Sequence, residues 1–171
     1  TRPGELTDIV CGLGPGPFTG LRVGIVTARV LALVTGATLR GVCSLDALAA
    51  ACAGDGADEV CVATDARRKE VYWARYAVSP TGSVTPLTTP AVARPGDVPE
   101  QARELPTAGR GPVLYPALFA RPLAHLDVSA ADLARLAVAR LAAGDELSAH
   151  EPLYLRRPDA APHVVAKSAL G

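Results

Sequence analysis

Three stretches carry the residue types that chemistry or recognition would need. The first is Gly12-Leu13-Gly14-Pro15-Gly16-Pro17-Phe18-Thr19-Gly20-Leu21-Arg22-Val23-Gly24, a Gly/Pro loop set between two apolar runs. Such a junction can hold an anion on backbone N–H groups, pack tightly on a sheet, or present a surface to another protein. It departs from both phosphate-binding patterns. Counting from Gly12 and Gly14, the third glycine of a dinucleotide fingerprint falls on Pro17, and no Gly-Lys-Ser/Thr comes after it. Pro15 and Pro17 also each delete an N–H that a cradle would use. Gly14, Pro15, Gly16, Pro17, Phe18, Thr19 and Gly20 are therefore read as a structural loop that aims the helix beyond it.

Catalytic and metal chemistry find little support. Thr19 is the obvious nucleophile, yet His125, His150 and His163 are scattered and belong to no motif, so N-capping is its simpler role. Cys11, Cys43, Cys52 and Cys61 show no C-x-x-C spacing, and most lie in apolar runs, where free cysteine behaves as a small buried hydrophobe. No H-x-x-x-H or H-E-x-x-H occurs, and Asp55, Asp58 and Glu59 read as solvated loop carboxylates. No metal and no cofactor are expected. The second stretch, Arg67-Arg68-Lys69, is either a solvated hairpin tip or a contact for an anionic partner such as tRNA or an acidic protein surface. The third is the sector formed by Arg22, Arg29 and Leu33 with Ile25 at its margin. Arginine among aliphatics is what protein interfaces enrich, although an ordinary exposed face has the same look.

Periodicity defines the elements that must position these residues. Thr7–Gly12 predicts a strand. A helix runs from about Gly20 to Thr35, N-capped by Thr19 and stopped at Gly36. On that helix Val23, Val26, Val30, Leu31 and Val34 form the bulky sector expected to lie on a sheet, while Gly20, Gly24, Ala28 and Ala32 form a groove of small residues. Thr38–Cys43 predicts a second strand, with Ser44 capping a short helix to about Ala53. Glu59–Asp65 and Glu70–Val78 predict an antiparallel hairpin whose second arm has one core face. Dense proline and glycine from Pro80 to Pro122 predict short strands and brief helices. Ser129 opens a helix striped by Leu133, Leu136, Ala137 and Leu141 and ending near Gly144. Beyond the extended segment Glu151–Arg157 the tail is expected to fray.

The chain has 171 residues, is 49% hydrophobic and 20% charged, and carries no net charge. That composition predicts an ordinary globular protein and argues against a nucleic-acid binder held by a broad basic face. Arg22, Arg29 and Arg40 interrupt the longest apolar stretch, so no membrane span is expected, and the free thiols suit a reducing cytosol. The chain opens on Thr-Arg-Pro and reaches a strand within a few residues, which suggests that N-terminal elements of the intact protein lie before Thr1.

Taken together, the loop Gly14–Gly24, the segment Asp65-Ala-Arg-Arg-Lys-Glu-Val-Tyr-Trp-Ala-Arg-Tyr76 and Pro152-Leu-Tyr-Leu-Arg156 resemble the bacterial TsaB (YeaZ) family in order and spacing. The family's usual loop has serine where this chain has Pro17. The resemblance implies an α/β fold of the actin-like ATPase (ASKHA, ribonuclease-H-like) class with two domains, the first incomplete at its N-terminus. Residues 1–55, with 155–171 packing back, would be the remainder of the first domain and 56–154 the second. It implies a cytoplasmic, non-catalytic partner of the TsaD threonylcarbamoyltransferase, which modifies tRNA beside the anticodon. The pair recruits the TsaE ATPase; TsaB-like chains also form homodimers, and any tRNA contact here would be indirect. By carry-over, Arg22, Ile25, Val26, Arg29 and Leu33 form the partner surface. The bulky Ala-Arg-Arg-Lys after Asp65 replaces the glycine-rich turn with which nucleotide-binding relatives approach phosphates. Two other classes stand against this reading: a small ATP-dependent kinase of the same fold, and a peptidase.

Overall fold

In the computed structural model, residues 2–147 and 151–156 are described; His150, His163 and the tail from position 157 lie outside them. Two sheets organise the chain. Strand β1 (Asp8–Gly12) runs parallel to β2 (Thr38–Val42), pairing Asp8 with Thr38 through to Gly12 with Val42. Parallel strands need a crossover, and helix α1 (Phe18–Thr35) supplies it. Gly36 ends α1 in the left-handed region at φ 75°, its N–H donating to the Ala32 carbonyl at 2.9 Å.

The helix begins earlier than Thr19 capping requires. Pro17 takes the cap position, and its carbonyl accepts from the Leu21 N–H at 2.8 Å, which puts Thr19 inside the first turn. Proline's fixed φ commits the backbone before a hydroxyl cap is needed. Likewise Cys43 stands at the cap of α2 (Ser44–Ala51), with Ser44 already helical.

The orientation of α1 corrects the sequence expectation. Val23, Val26, Val30, Leu31 and Val34 are exposed rather than seated on the sheet. Ile25 and Ala28 are the buried residues, packed on Cys11 with Ile9, Leu13, Leu21 and Leu39 around them. A two-stranded sheet is too narrow to cover more than one edge of a helix that is apolar nearly all round.

The second sheet has the order β5 (Val84–Pro86), β4 (Val71–Val78), β3 (Glu59–Asp65), β7 (Thr107–Ala108), with β6 (Ala91–Ala93) also on β4. The β3–β4 hairpin is antiparallel from Glu59↔Ala77 to Asp65↔Val71, and β7 joins β3 in parallel. Both faces of β4 are core, not one. Ala74, Tyr76 and Val78 pack with Leu45 and Leu48 of α2 and with Leu136 and Ala137 of α5 (Ala130–Ala142). Val71 and Trp73 face the other way, onto Val98, Ala102 of α3 (Glu100–Arg103) and Phe119. Layers on both sides cover most of the strand, and its one charged residue, Arg75, reaches solvent in part. A fourth short helix, α4 (Gly111–Leu114), comes after β7.

One polar network crosses this core. The Tyr76 hydroxyl donates to Asp46 Oδ1 at 2.9 Å, and Arg140 Nη2 donates to Asp46 Oδ2 at 2.8 Å. Burial, then the Asp46 charge, pushes the Tyr76 phenol far above its ordinary range, so it remains a donor. The expected cap of α5 forms, with Ser129 Oγ accepting from the Asp132 N–H at 3.1 Å.

Candidate functional site

The Gly/Pro loop is an anchored elbow. The Leu13 N–H donates to the Val42 carbonyl at 2.9 Å, the Gly14 carbonyl accepts from Ser44 at 2.7 Å, and the Leu13 carbonyl accepts from Leu153 at 2.7 Å. Gly14 has φ 95°, and a Cβ there would stand 3.0 Å from Leu21 Cδ2 and 3.4 Å from the Leu153 carbonyl oxygen. Only glycine suits that place. The hydrogen bonds that hold this loop run inward to its own fold.

The three motifs of the sequence converge beside this elbow. The Arg22 guanidinium lies 3.9 Å from the centroid of the Phe18 ring and 6.0 Å from that of Tyr154. Its Nε donates to the Tyr154 hydroxyl at 3.2 Å, and the two rings are 5.5 Å apart. This is a cation–π stack at the surface. Two residues on, Arg156 Nη1 donates to the Ala66 carbonyl at 3.2 Å and pairs with Glu70, on the turn of the β3–β4 hairpin. That turn holds Arg67, Arg68 and Lys69 at φ 61°, 54° and 61°, a left-handed run of non-glycine residues. The Arg67 N–H donates to Asp65 Oδ1 at 2.7 Å and its side chain is largely exposed. Tyr154 belongs here as much as Arg22 does, yet sequence reasoning left it off the site. Its only signal was its place in the third motif.

Along α1 the expected partner residues divide. Arg22, Val26, Arg29 and Leu33 are exposed, Leu33 to 85%. Ile25, at 5%, is part of the core beneath the helix and offers nothing to a partner. With Val23, Val30 and Val34 also exposed, the outer face of α1 is largely aliphatic, with Arg22 and Arg29 set among those residues. By length and composition α1 is also the one helix among the described residues long and apolar enough to cross a membrane.

A cleft of about 730 Å³ separates α1 and its loop from the hairpin sheet, with Gly16, Pro17, Asp65, Arg67, Arg110 and Asp127 among its lining. Arg110 closes on Asp127 through two bonds, 2.7 and 2.6 Å long, which hold the Asp127 carboxyl below its usual range. Nucleophilic thiols are lacking among the described residues: burial pushes Cys43, Cys52 and Cys61 up to about 12 and raises Cys11 as well.

A parallel βαβ unit joined to a hairpin sheet in this way is an α/β protein of the actin-like ATPase class. Two solved structures from Pseudomonas aeruginosa share the fold: YeaZ, with a TM-score of 0.77 and 31% identity over 90% of this chain and 76% of that one, and a protein described as similar to peptidase YeaZ, with the same score and identity over 91% and 76%. The family model described as TsaD, tRNA N6-adenosine threonylcarbamoyltransferase, matches residues 1–134. The tRNA threonylcarbamoyladenosine biosynthesis protein TsaB of Escherichia coli is 36% identical over 168 residues, 89% of this chain and 73% of its own length. An uncharacterized protein of Mycobacterium tuberculosis is 43% identical over 161 residues, 94% of this chain and 69% of its own. The chain belongs to the TsaB (YeaZ) family.

Proposed function

We propose that this chain serves in tRNA threonylcarbamoyladenosine biosynthesis as a non-catalytic cytoplasmic subunit that docks a TsaD-like catalytic subunit on the outer face of α1. The observation that carries the reading is the outward row of Val23, Val26, Val30, Leu33 and Val34, flanked by Arg22 and Arg29. Aliphatic surface mixed with arginine suits a protein partner, whereas two arginines within one span are costly in a bilayer. The same face would serve homodimers, and the assembled pair would recruit a TsaE-like ATPase. Arg67, Arg68 and Lys69 offer a contact to an anionic partner at the rim, leaving any tRNA contact indirect. Raised thiols and an elbow anchored inward favour a subunit without chemistry of its own.

The test is co-purification with the TsaD-like protein of the same host. Arg29→Glu or Leu33→Glu abolishes pairing while the circular dichroism of the monomer is unchanged; undiminished co-purification would remove α1 as the docking face. An ATP-dependent kinase has the cleft in its favour. Micromolar ATP binding by calorimetry without a partner would favour it over the subunit role.

A further inference from the structure

The C-terminal end of α2 and the stretch between α4 and α5 bring three metal-binding side-chain types together. Cys52 caps α2 and is fully buried, Asp55 sits on the turn just beyond, and His125 arrives from 70 residues further along the chain. The Cys52 Sγ, an Asp55 carboxylate oxygen and a His125 ring nitrogen all lie within 4.8 Å of one another. His125 Nε2 stands 3.0 Å from Asp55 Oδ2. Backbone bonds hold both partners in place: the Asp55 N–H donates to the Cys52 carbonyl at 3.1 Å, and the His125 carbonyl accepts from Gly109 at 2.7 Å.

With bonds of about 2.0–2.3 Å, ligand atoms around a tetrahedral zinc stand roughly 3.3–3.8 Å apart, so the cluster needs shifts of about 1 Å. Thiolate, imidazole and carboxylate together suit zinc-class ions and disfavour magnesium or calcium, which prefer oxygen alone. We propose that Cys52, Asp55 and His125 form a binding site for a divalent transition metal of the zinc class, with a fourth position left to water. The side chains of Asp55 and His125 are each about a third exposed and give the ion its way in.

Binding replaces the thiol proton, which leaves to solvent, with a metal–sulfur bond. The His125–Asp55 hydrogen bond opens as the imidazole lone pair turns to the ion. The Asp55 and Asp132 carboxylates, whose charges reach Cys52, favour a dication there. The site would staple α2 to the segment that leads into α5, independently of any partner on α1.

Titration of the full chain with cobalt(II) under reducing conditions tests this. The expected result is a near-ultraviolet thiolate-to-cobalt charge-transfer band that saturates at one ion per chain and is displaced by zinc. His125→Ala and Asp55→Asn, at partly exposed positions, each weaken binding by about tenfold or more. Cys52→Ser removes the band, but because that thiol lies in the core the His125 and Asp55 variants are the decisive ones. Absence of the band at stoichiometric cobalt, or a band of undiminished affinity in both surface variants, overturns the site.

Discussion

Helices α1 and α2 are both rich in apolar residues, yet they are buried in opposite ways. In α2 five consecutive residues, Leu45 to Ala49, are buried between the hairpin sheet and α5. In α1 two of eighteen are. The difference lies in the layers available: α2 has a sheet on one side and a helix on the other, while α1 has two strands. Apolar composition therefore reports a need for cover without saying who supplies it. In α2 the chain itself does so, and in α1 the outer face stays exposed, the face proposed above for a partner.

The comparison breaks most sharply under truncation. Leu48→Ala removes a fully buried side chain and costs about 3 kcal/mol. Leu33→Ala changes stability by less than about 0.5 kcal/mol. Urea unfolding reads both, and equal costs would mean that α1 is covered as deeply as α2. Asp46→Ala is next: it strips the acceptor from Tyr76 and Arg140 and costs about 2–3 kcal/mol. Thermal unfolding of Asp46→Asn, which keeps one acceptor oxygen, should fall between wild type and alanine.

Glycines sharpen the contrast. A Cβ on Gly109 would lie 2.2 Å from the Ala63 carbonyl oxygen, whereas one on Gly24 would meet nothing within 4 Å. Gly24→Ala therefore stabilises the monomer by about 0.5–1 kcal/mol, and the same variant weakens pairing if that glycine is there to admit a close partner. Unchanged pairing, measured by analytical ultracentrifugation, would show that the partner keeps its distance from Gly24.

The smallest effect concerns acid. The hydrogen bond from Arg40, at 2.8 Å, and a second from Thr7 hold the Asp8 carboxyl below its ordinary value. A carboxyl lowered by folding stabilises the native state above its unfolded pKa, and that contribution fades as pH falls from about 4 through the folded value. Asp8→Asn should flatten the acid limb of a melting-temperature profile slightly, because the pair is about a third exposed. An identical acid limb would show that Asp8 gains nothing from β2.

Local signals foretold local structure. Alternating Val, Tyr and Trp with a basic tip marked the β3–β4 hairpin, Ser129 marked the start of α5, and Gly36 the end of α1. The seating of α1 was hidden because apolar residues surround it, so periodicity alone selects no face; Ile25 and Ala28 win through contact with Cys11 and its neighbours. The family resemblance pointed to α1 as the proposed docking surface, but the place of Tyr154 beside Arg22 depends on a contact across 132 positions. The third motif marks Tyr154 but not its neighbour. His125 reaches Cys52 and Asp55 in the same long-range way, out of reach of any spacing rule.

That long reach has a consequence in time. Arg22 and Phe18 are made well before their partners: the ring that closes their stack and the Leu153 N–H that ties down the elbow come more than a hundred residues later. At about 5–20 residues per second, the ribosome leaves the base of α1 without its buttress for roughly ten seconds. A nascent chain that has not yet reached Tyr154 therefore cannot close the Phe18–Arg22–Tyr154 stack at the base of α1.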